Sequence, residues 1–470
     1  MHRLLKNLKQ SFSSVRNKST LAAPANFKQS IYPIELGEIP EPLKYDHQYQ
    51  ETKLSNGIRV ATEHYDAPLS TVGIMIDAGS RNETMANTGT AHFLEHLHFK
   101  GTNRRTRVML ERGIENMGGN LNAYTSRETT LYQMQVFKQD VGEAVDIMAD
   151  MILNSKYDPT NVEIEKEVIL READEVDADT REMILENIHF TSYRDHIMGQ
   201  PILGNRDSIR KITNEDLKKF VYTHYIGPRL VVVGGGPVEH NRLVEISESI
   251  LGNLRTSTEI PIVGEDKPTF TGSTIHSRDD CIDQVHLGLF YPAPSWADPD
   301  YWAFLLLQRI IAETDPEQSN ILSVPNLLLG NQKIASQEEC LYIPYKDVGM
   351  IGYYASVAED KVQDLTKQYL EVFEKVTQEV PEEELVKGKN KIFHELLQLE
   401  VGAEVIQTLG SQLIYMNRRV PKSEIAKRVA ALDSNYLKSV FQRWFKGQTP
   451  SLAFHGKLDQ VEKMYHVYNF

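Results

Sequence analysis

A chain of 470 residues exceeds what one hydrophobic core sustains, so two to four domains are expected. Its 41% hydrophobic and 25% charged residues are ordinary for a globular protein, and no apolar stretch nears the roughly 18 residues a membrane span needs. The formal net charge of −14 argues against nucleic acid as a partner, and two cysteines, Cys281 and Cys340, exclude a disulfide framework and a thiolate zinc site.

The first segment differs from the rest. Residues 1–19 carry Arg3, Lys6, Lys9, Arg16 and Lys18 without an acid, and Leu4, Leu5, Leu8 and Phe12 recur at helical spacing. Basic, serine-rich and amphipathic is the composition of a mitochondrial transit peptide. Without those five basic residues the net charge falls from −14 to about −19, which suits a basic partner or substrate. Further on, GIRVATEHY and LSTVGIMIDAG read as alternating strands about a turn at Ala67-Pro68. A helix follows through HFLEH and another over 105–117. Gly118-Gly119 turns the chain into two strands, NAYTS and TLYQMQVF, and long helices dominate 141–193.

A diverged repeat sets the architecture. DLKKFVYTHYIGPRLVVVGGG, from Asp216, and YLKSVFQRWFKGQTPSLAFHG, from Tyr436, each give an amphipathic helix, an aromatic pair, a glycine and a short apolar strand. Two homologous halves are therefore expected, 40–262 and 274–470, joined by a Pro/Gly/Thr-rich linker at 263–273. Strands and helices in blocks indicate an α+β fold, two α/β-sandwich halves arranged like a clam.

The chemistry is concentrated in HFLEHLHFKGT, which begins at His92. On a helix His92 and His96 share a face and can present two imidazoles to one ion, while Glu95 stands close enough to reach a metal-bound water. The order HxxEH reverses the commoner HExxH with equivalent geometry. A third ligand has to come from another element. The helix NVEIEKEVILREADEV offers Glu163, Glu165, Glu167, Glu172 and Glu175, and geometry alone leaves that choice open. Glu165 and Glu172, seven apart, lie on one face, so that one could ligate and the other orient.

In HFLEHLHFKGT, GGNLNAYTSRE and EKEVILREADEV the chain resembles the pitrilysin/insulysin-type zinc metallopeptidases, in their mitochondrial processing branch. The resemblance covers nearly everything after the leader. It implies one zinc ion on His92, His96 and Glu172, with Glu95 as general base and Glu165 as the acidic partner behind the ligands. It further implies that Asn122, Ala123 and Tyr124 form an edge strand that pairs with extended substrate. Phe99 would line the pocket beyond the scissile bond, and Glu182 with Glu186 would hold a substrate arginine. In the second half PYKDVGMIGYY is similar to the family's SYxDxGLxG, which would bring Tyr345 to the site, with no arginine partner identifiable in the sequence. His98 stands where the family has a small apolar residue, and it reads as a packing or surface substitution, not a ligand.

The activity so implied is removal of basic N-terminal presequences from imported precursors in the mitochondrial matrix. It would be carried out with a homologous alpha subunit, and the chain would also serve as a core subunit of respiratory complex III on the matrix side. Two other readings differ in class. A structural complex III core protein would have lost some of His92, Glu95, His96 and Glu172, and all four are present. An oligopeptidase of free targeting peptides would be about twice this length, with four such units on one chain.

Overall fold

The structure, a computed structural model, describes residues 39–312, 334–398 and 402–461. The basic leader read at 1–19 lies outside them. Strands β1 (Gln48–Lys53), β2 (Arg59–His64), β3 (Ser70–Ile76), β4 (Asn120–Thr125), β5 (Thr130–Val136) and β6 (Leu230–Gly235) form a sheet in the order β1-β2-β6-β3-β5-β4. Strands β7 (Thr274–Arg278), β8 (Val285–Ala293), β9 (Gln337–Pro344), β10 (Gly349–Val357) and β11 (Ser451–Gly456) form a second, β7-β11-β8-β10-β9. Each strand from β2 to β6 has a counterpart from β7 to β11 at the same place in its sheet. The match includes the parallel pair, Arg59 opposite Val231 in one sheet and Thr274 opposite Leu452 in the other.

The helices repeat with the strands. Between β3 and β4 stand α1 (Thr90–His98) and α2 (Arg107–Asn116). Between β5 and β6 run α3 (Val141–Asn154), α4 (Pro159–Ala178), α5 (Thr180–Ser192), α6 (Arg206–Lys211) and α7 (Asn214–His224), with α8 (His240–Leu251) after β6. In the second half α9 (Tyr301–Ile311) follows β8. Then α10 (Val362–Gln378), α11 (Glu382–Leu397), α12 (Ala403–Met416), α13 (Lys422–Ala430) and α14 (Ser434–Phe445) fill the interval from β10 to β11. The sequence repeat at Asp216 and Tyr436 is thus α7–β6 and α14–β11. The mixed α+β character expected from the sequence is what the chain adopts.

Sheet faces explain how the halves join. All of β3 is buried, because its sheet is covered on both sides. Val60, Val72, Ile74 and Val232 belong to the core beneath α3, whereas Ala61, Val231 and Val233 pack on Ile406, Leu409 and Leu413 of α12, a helix of the other half. The reciprocal contact sets Ile184 and Ile188 of α5 on Phe290, Met350, Tyr354 and Ala453 of the second sheet. Each half therefore lends one helix to its neighbour's sheet. Glycine at the middle of the central strand makes room: a Cβ on Gly73 would lie 3.0 Å from Ile406, and one on Gly288 would lie 2.7 Å from Ile188. Fully burying an aliphatic side chain stabilises by about 1.5–3 kcal/mol, so the exchanged helices couple the halves strongly.

A buried ionic clasp adds to this. Arg81 donates to Glu128 (2.7 Å), to both carboxylate oxygens of Asp347 (2.8 and 2.6 Å), and to the carbonyls of Gly264 (2.6 Å) and Asp266 (2.8 Å). First half, linker and second half thus meet on one guanidinium. The linker is strapped down at its other end as well, where Thr271 N donates to Ser192 O at 2.8 Å.

Candidate metal centre

The site is built on two helices with well-defined starts. Gly89 ends the preceding turn at φ 91°, a left-handed value, and α1 begins at Thr90. The buried Glu83 carboxylate caps that start, accepting from Gly89 N and Ala91 N, both at 2.7 Å. Helix α4 begins at Pro159 behind Asp158, whose carboxylate accepts from Thr160 N at 2.8 Å. Asp179 closes α4 and caps α5, accepting from Arg181 N and Glu182 N.

These helices bring His92, His96 and Glu172 together, with one ligand atom from each within 4.8 Å of the others. Glu172 Oε2 lies 3.2 Å from Nε2 of His92 and 3.2 Å from Nε2 of His96. Ligand bonds of about 2.0–2.1 Å in a tetrahedron place ligand atoms about 3.3 Å apart, close to the two separations from Glu172, and two imidazoles with a carboxylate are a donor set that zinc takes. Two imidazoles and a carboxylate leave a fourth position open, the pattern of a catalytic site and not of a structural one. His96 Nδ1 stands 3.2 Å from Glu165 Oε2, which assigns Nε2 to face Glu172. Glu165 is buried, and its other oxygen accepts from Lys100 Nζ at 2.7 Å. Glu172 thus faces both imidazoles, and Glu165 stands behind one of them. Hydrogen bonds from His92 and then His96 hold the Glu172 carboxyl well below the usual carboxylate range. Burial opposes a charge on His96, but bonds to Glu172 and Glu165 more than offset it and raise its pKa. Glu95, half-buried, follows on the same helix between the two histidines.

Two family models match the chain. The first, the insulinase model of peptidase family M16, covers residues 59–206, and the M16 inactive-domain model covers residues 211–392. The chain belongs to peptidase family M16. It is 35% identical over 416 residues to the mitochondrial-processing peptidase subunit beta of Mus musculus, covering 88% of this chain and 85% of that one. It is 33% identical over 436 residues to a probable mitochondrial-processing peptidase subunit beta of Arabidopsis thaliana, 90% and 82% of the two chains. It is 31% identical over 451 residues to cytochrome b-c1 complex subunit 1 of Homo sapiens, 95% and 92%. Among solved structures, a protease from Helicobacter pylori superposes with a TM-score of 0.78 at 22% identity, over 87% of this chain and 99% of that one. A chain of complex III from Candida albicans gives 0.76 at 20%, over 88% and 97%. The last two show a shared fold.

The residues expected to touch substrate in an M16 peptidase are placed as follows. Asn122, Ala123 and Tyr124 lie on β4, at the sheet's edge, where among the described residues β5 is the strand it pairs with. Asn122 Oδ1 accepts from Ala123 N at 2.9 Å, so an added strand would displace that bond. Phe99 lines a cavity of about 200 Å³ with Leu110, Ile114 and Met151, rimmed by Lys100 and Arg107. Glu186 receives Arg127 Nη2 at 2.5 Å and Glu182 receives Arg181 Nη1 at 2.5 Å, so both carboxylates already hold an arginine of this chain. The Tyr345 hydroxyl lies 2.6 Å from Nε2 of His189, and Arg127 stands against it. That contact between Arg127 and Tyr345 spans 218 residues and leaves no local signal in the sequence.

Sequence reasoning also missed what lies beneath α1. His98 is fully buried, with Nδ1 2.5 Å from the Tyr132 hydroxyl and Nε2 2.9 Å from that of Tyr157. Burial pushes its imidazole down to about 3, so it is neutral. Of the two readings the sequence left open, packing or surface, His98 is a core residue.

Proposed function

We propose that the chain is the zinc-bearing, cleaving subunit of a mitochondrial processing peptidase. What supports this most is the convergence of His92, His96 and Glu172, with Glu165 behind His96 and Glu95 beside it. A zinc ion held by His92, His96 and Glu172 would acidify water and polarise a peptide carbonyl. Glu95 takes the proton of the attacking water and returns it to the leaving amine, a general-base role worth about 10²–10⁴ in rate. Glu165 fixes the tautomer and direction of His96. Substrate adds to β4 through Asn122, Ala123 and Tyr124, with Phe99 lining the pocket beyond the cut. Glu182 and Glu186 become the arginine subsite once Arg181 and Arg127 give way.

The first half, 40–262, carries the site, 263–273 joins it to the second half, 274–470, and residues 1–19 direct import. Relatives named as mitochondrial-processing peptidase beta subunits support a mitochondrial location; the chain works there in the matrix, with a homologous alpha subunit as its partner. No helix among the described residues is long and apolar enough to cross a membrane. A second role, as a matrix-side core subunit of complex III, is favoured by the match to cytochrome b-c1 complex subunit 1 over 95% of this chain.

The test is cleavage of a presequence-bearing precursor by the chain together with its partner, read by mass spectrometry of the new N-terminus. Cleavage beyond a basic residue, abolished by a chelator and restored by zinc, is expected. No cleavage with stoichiometric zinc present would refute the peptidase role and leave the complex III one.

A further inference from the structure

We infer that His98 and Tyr157 form a brace that sets the spacing of the two ligand-bearing helices, making them positioning residues for the metal centre. The inference rests on the proposed ligands His92, His96 and Glu172.

His98 follows His96 by two residues, about 200° around the helix, so it leaves α1 on the face opposite the ligands. There it meets two tyrosine hydroxyls, Tyr132 on β5 at 2.5 Å and Tyr157 at 2.9 Å, while the Tyr225 ring stands 6.1 Å from its own. A neutral imidazole has one donor and one acceptor, and two hydroxyls use both. Tyr157 lies in the joint between α3 and α4, two residues ahead of Pro159, with φ 49°. A bulky residue enters that left-handed region only where its surroundings enforce it. The Tyr157–His98 bond therefore ties the head of α4 to the last residue of α1.

Glu165 lies about two turns into α4 and Glu172 about four, and both reach the histidines of α1. Where α4 begins relative to α1 thus decides whether these carboxylates meet the imidazoles. The backbone pins the same joint from the other side: Asn103 N donates to Asn154 O at 2.9 Å, and Thr102 bridges Ser155. Helix α1 is clamped on opposite faces, by ligands on one and by tyrosines on the other.

The test compares Tyr157→Phe, Tyr132→Phe and the apolar pair His98→Ala/Tyr157→Leu with Leu437→Ala, a core truncation in the second half that lies away from the site. Zinc affinity of the full chain is read by competition with a chromophoric chelator, the cobalt-substituted chain by its visible d–d bands, and stability by urea unfolding. Losing an outer partner of a metal site costs about 10–100-fold in affinity, and a brace that acts only through the spacing of the helices is expected at the low end, about tenfold. The brace predicts weaker zinc and altered cobalt bands in the tyrosine variants, with Leu437→Ala unstable but unchanged in both. Tyrosine variants that lose stability while keeping wild-type zinc affinity and cobalt spectrum would overturn the brace alone. A wild-type chain that takes up no stoichiometric zinc would instead overturn the ligand assignment on which it rests.

Discussion

Glu165 offers the clearest separation of metal binding from folding. Its carboxylate is buried, with one oxygen on His96 Nδ1 at 3.2 Å and the other on Lys100 Nζ at 2.7 Å. Glu165→Gln keeps the shape and removes the charge, so His96 loses the anionic acceptor that fixes its tautomer. Outer-shell losses of this kind cost about 10–100-fold in metal affinity, or about 1.4–2.7 kcal/mol. The same change leaves the Lys100 ammonium without its counterion, a separate cost to folding of about 1–3 kcal/mol for a partly buried group. Adding Lys100→Met should recover stability without recovering zinc, because only the second cost involves the lysine. Zinc affinity from chelator competition and stability from urea unfolding of both variants measure the two terms apart. A Glu165→Gln chain with wild-type zinc affinity, or one whose affinity returns with Lys100→Met, would refute this account of the site.

Other consequences follow from the fold. Arg81→Ala leaves the buried Glu128 carboxylate with only the Lys346 N–H and frees Asp347, and it should cost about 3–5 kcal/mol in urea unfolding, as breaking a buried ion pair from one side does. Leu409→Ala in the exchanged helix α12 should cost about 2–5 kcal/mol, and residues 40–262 expressed alone should aggregate, since their sheet face would be bare. Burial raises the Glu83 pKa to about 8 despite the N–H groups of Ala91 and Gly89. A carboxyl raised in the folded state binds its proton more tightly there, so stability falls as pH rises from about 4.5 through 8, by up to about 1.4 kcal/mol per unit. Unfolding profiles of wild type and Glu83→Gln should therefore differ in slope across that range, and parallel profiles would show the group to be ionised throughout.

What the sequence disclosed follows physical rules. The strands flanking Ala67-Pro68, the HFLEH helix and the α7–β6 and α14–β11 repeat were legible because their apolar spacing matches burial on defined faces. Strand β1 was not, since QYQETK is polar and sits exposed at a sheet edge, where periodicity carries no signal. The exchange of α5 and α12 was equally hidden. Ile188 and Ile406 look like any apolar helix positions, and only the sheet they reach distinguishes them. Among five glutamates on α4, spacing narrowed attention to Glu165 and Glu172 without deciding between them. The decision lies in how α4 crosses α1, a tertiary fact. Arg81, Arg127 and the Tyr157–His98 contact likewise depend on segments distant in sequence.

The central claim is that His92, His96 and Glu172 hold a zinc ion for which Glu95 is the base. The most direct measurement is metal content and presequence cleavage by Glu95→Gln assembled with its partner subunit. The account predicts one zinc per chain, as in wild type, with cleavage reduced by about 10²–10⁴. A Glu95→Gln chain that cleaves at the wild-type rate, or a wild-type chain that cleaves without zinc, would contradict it.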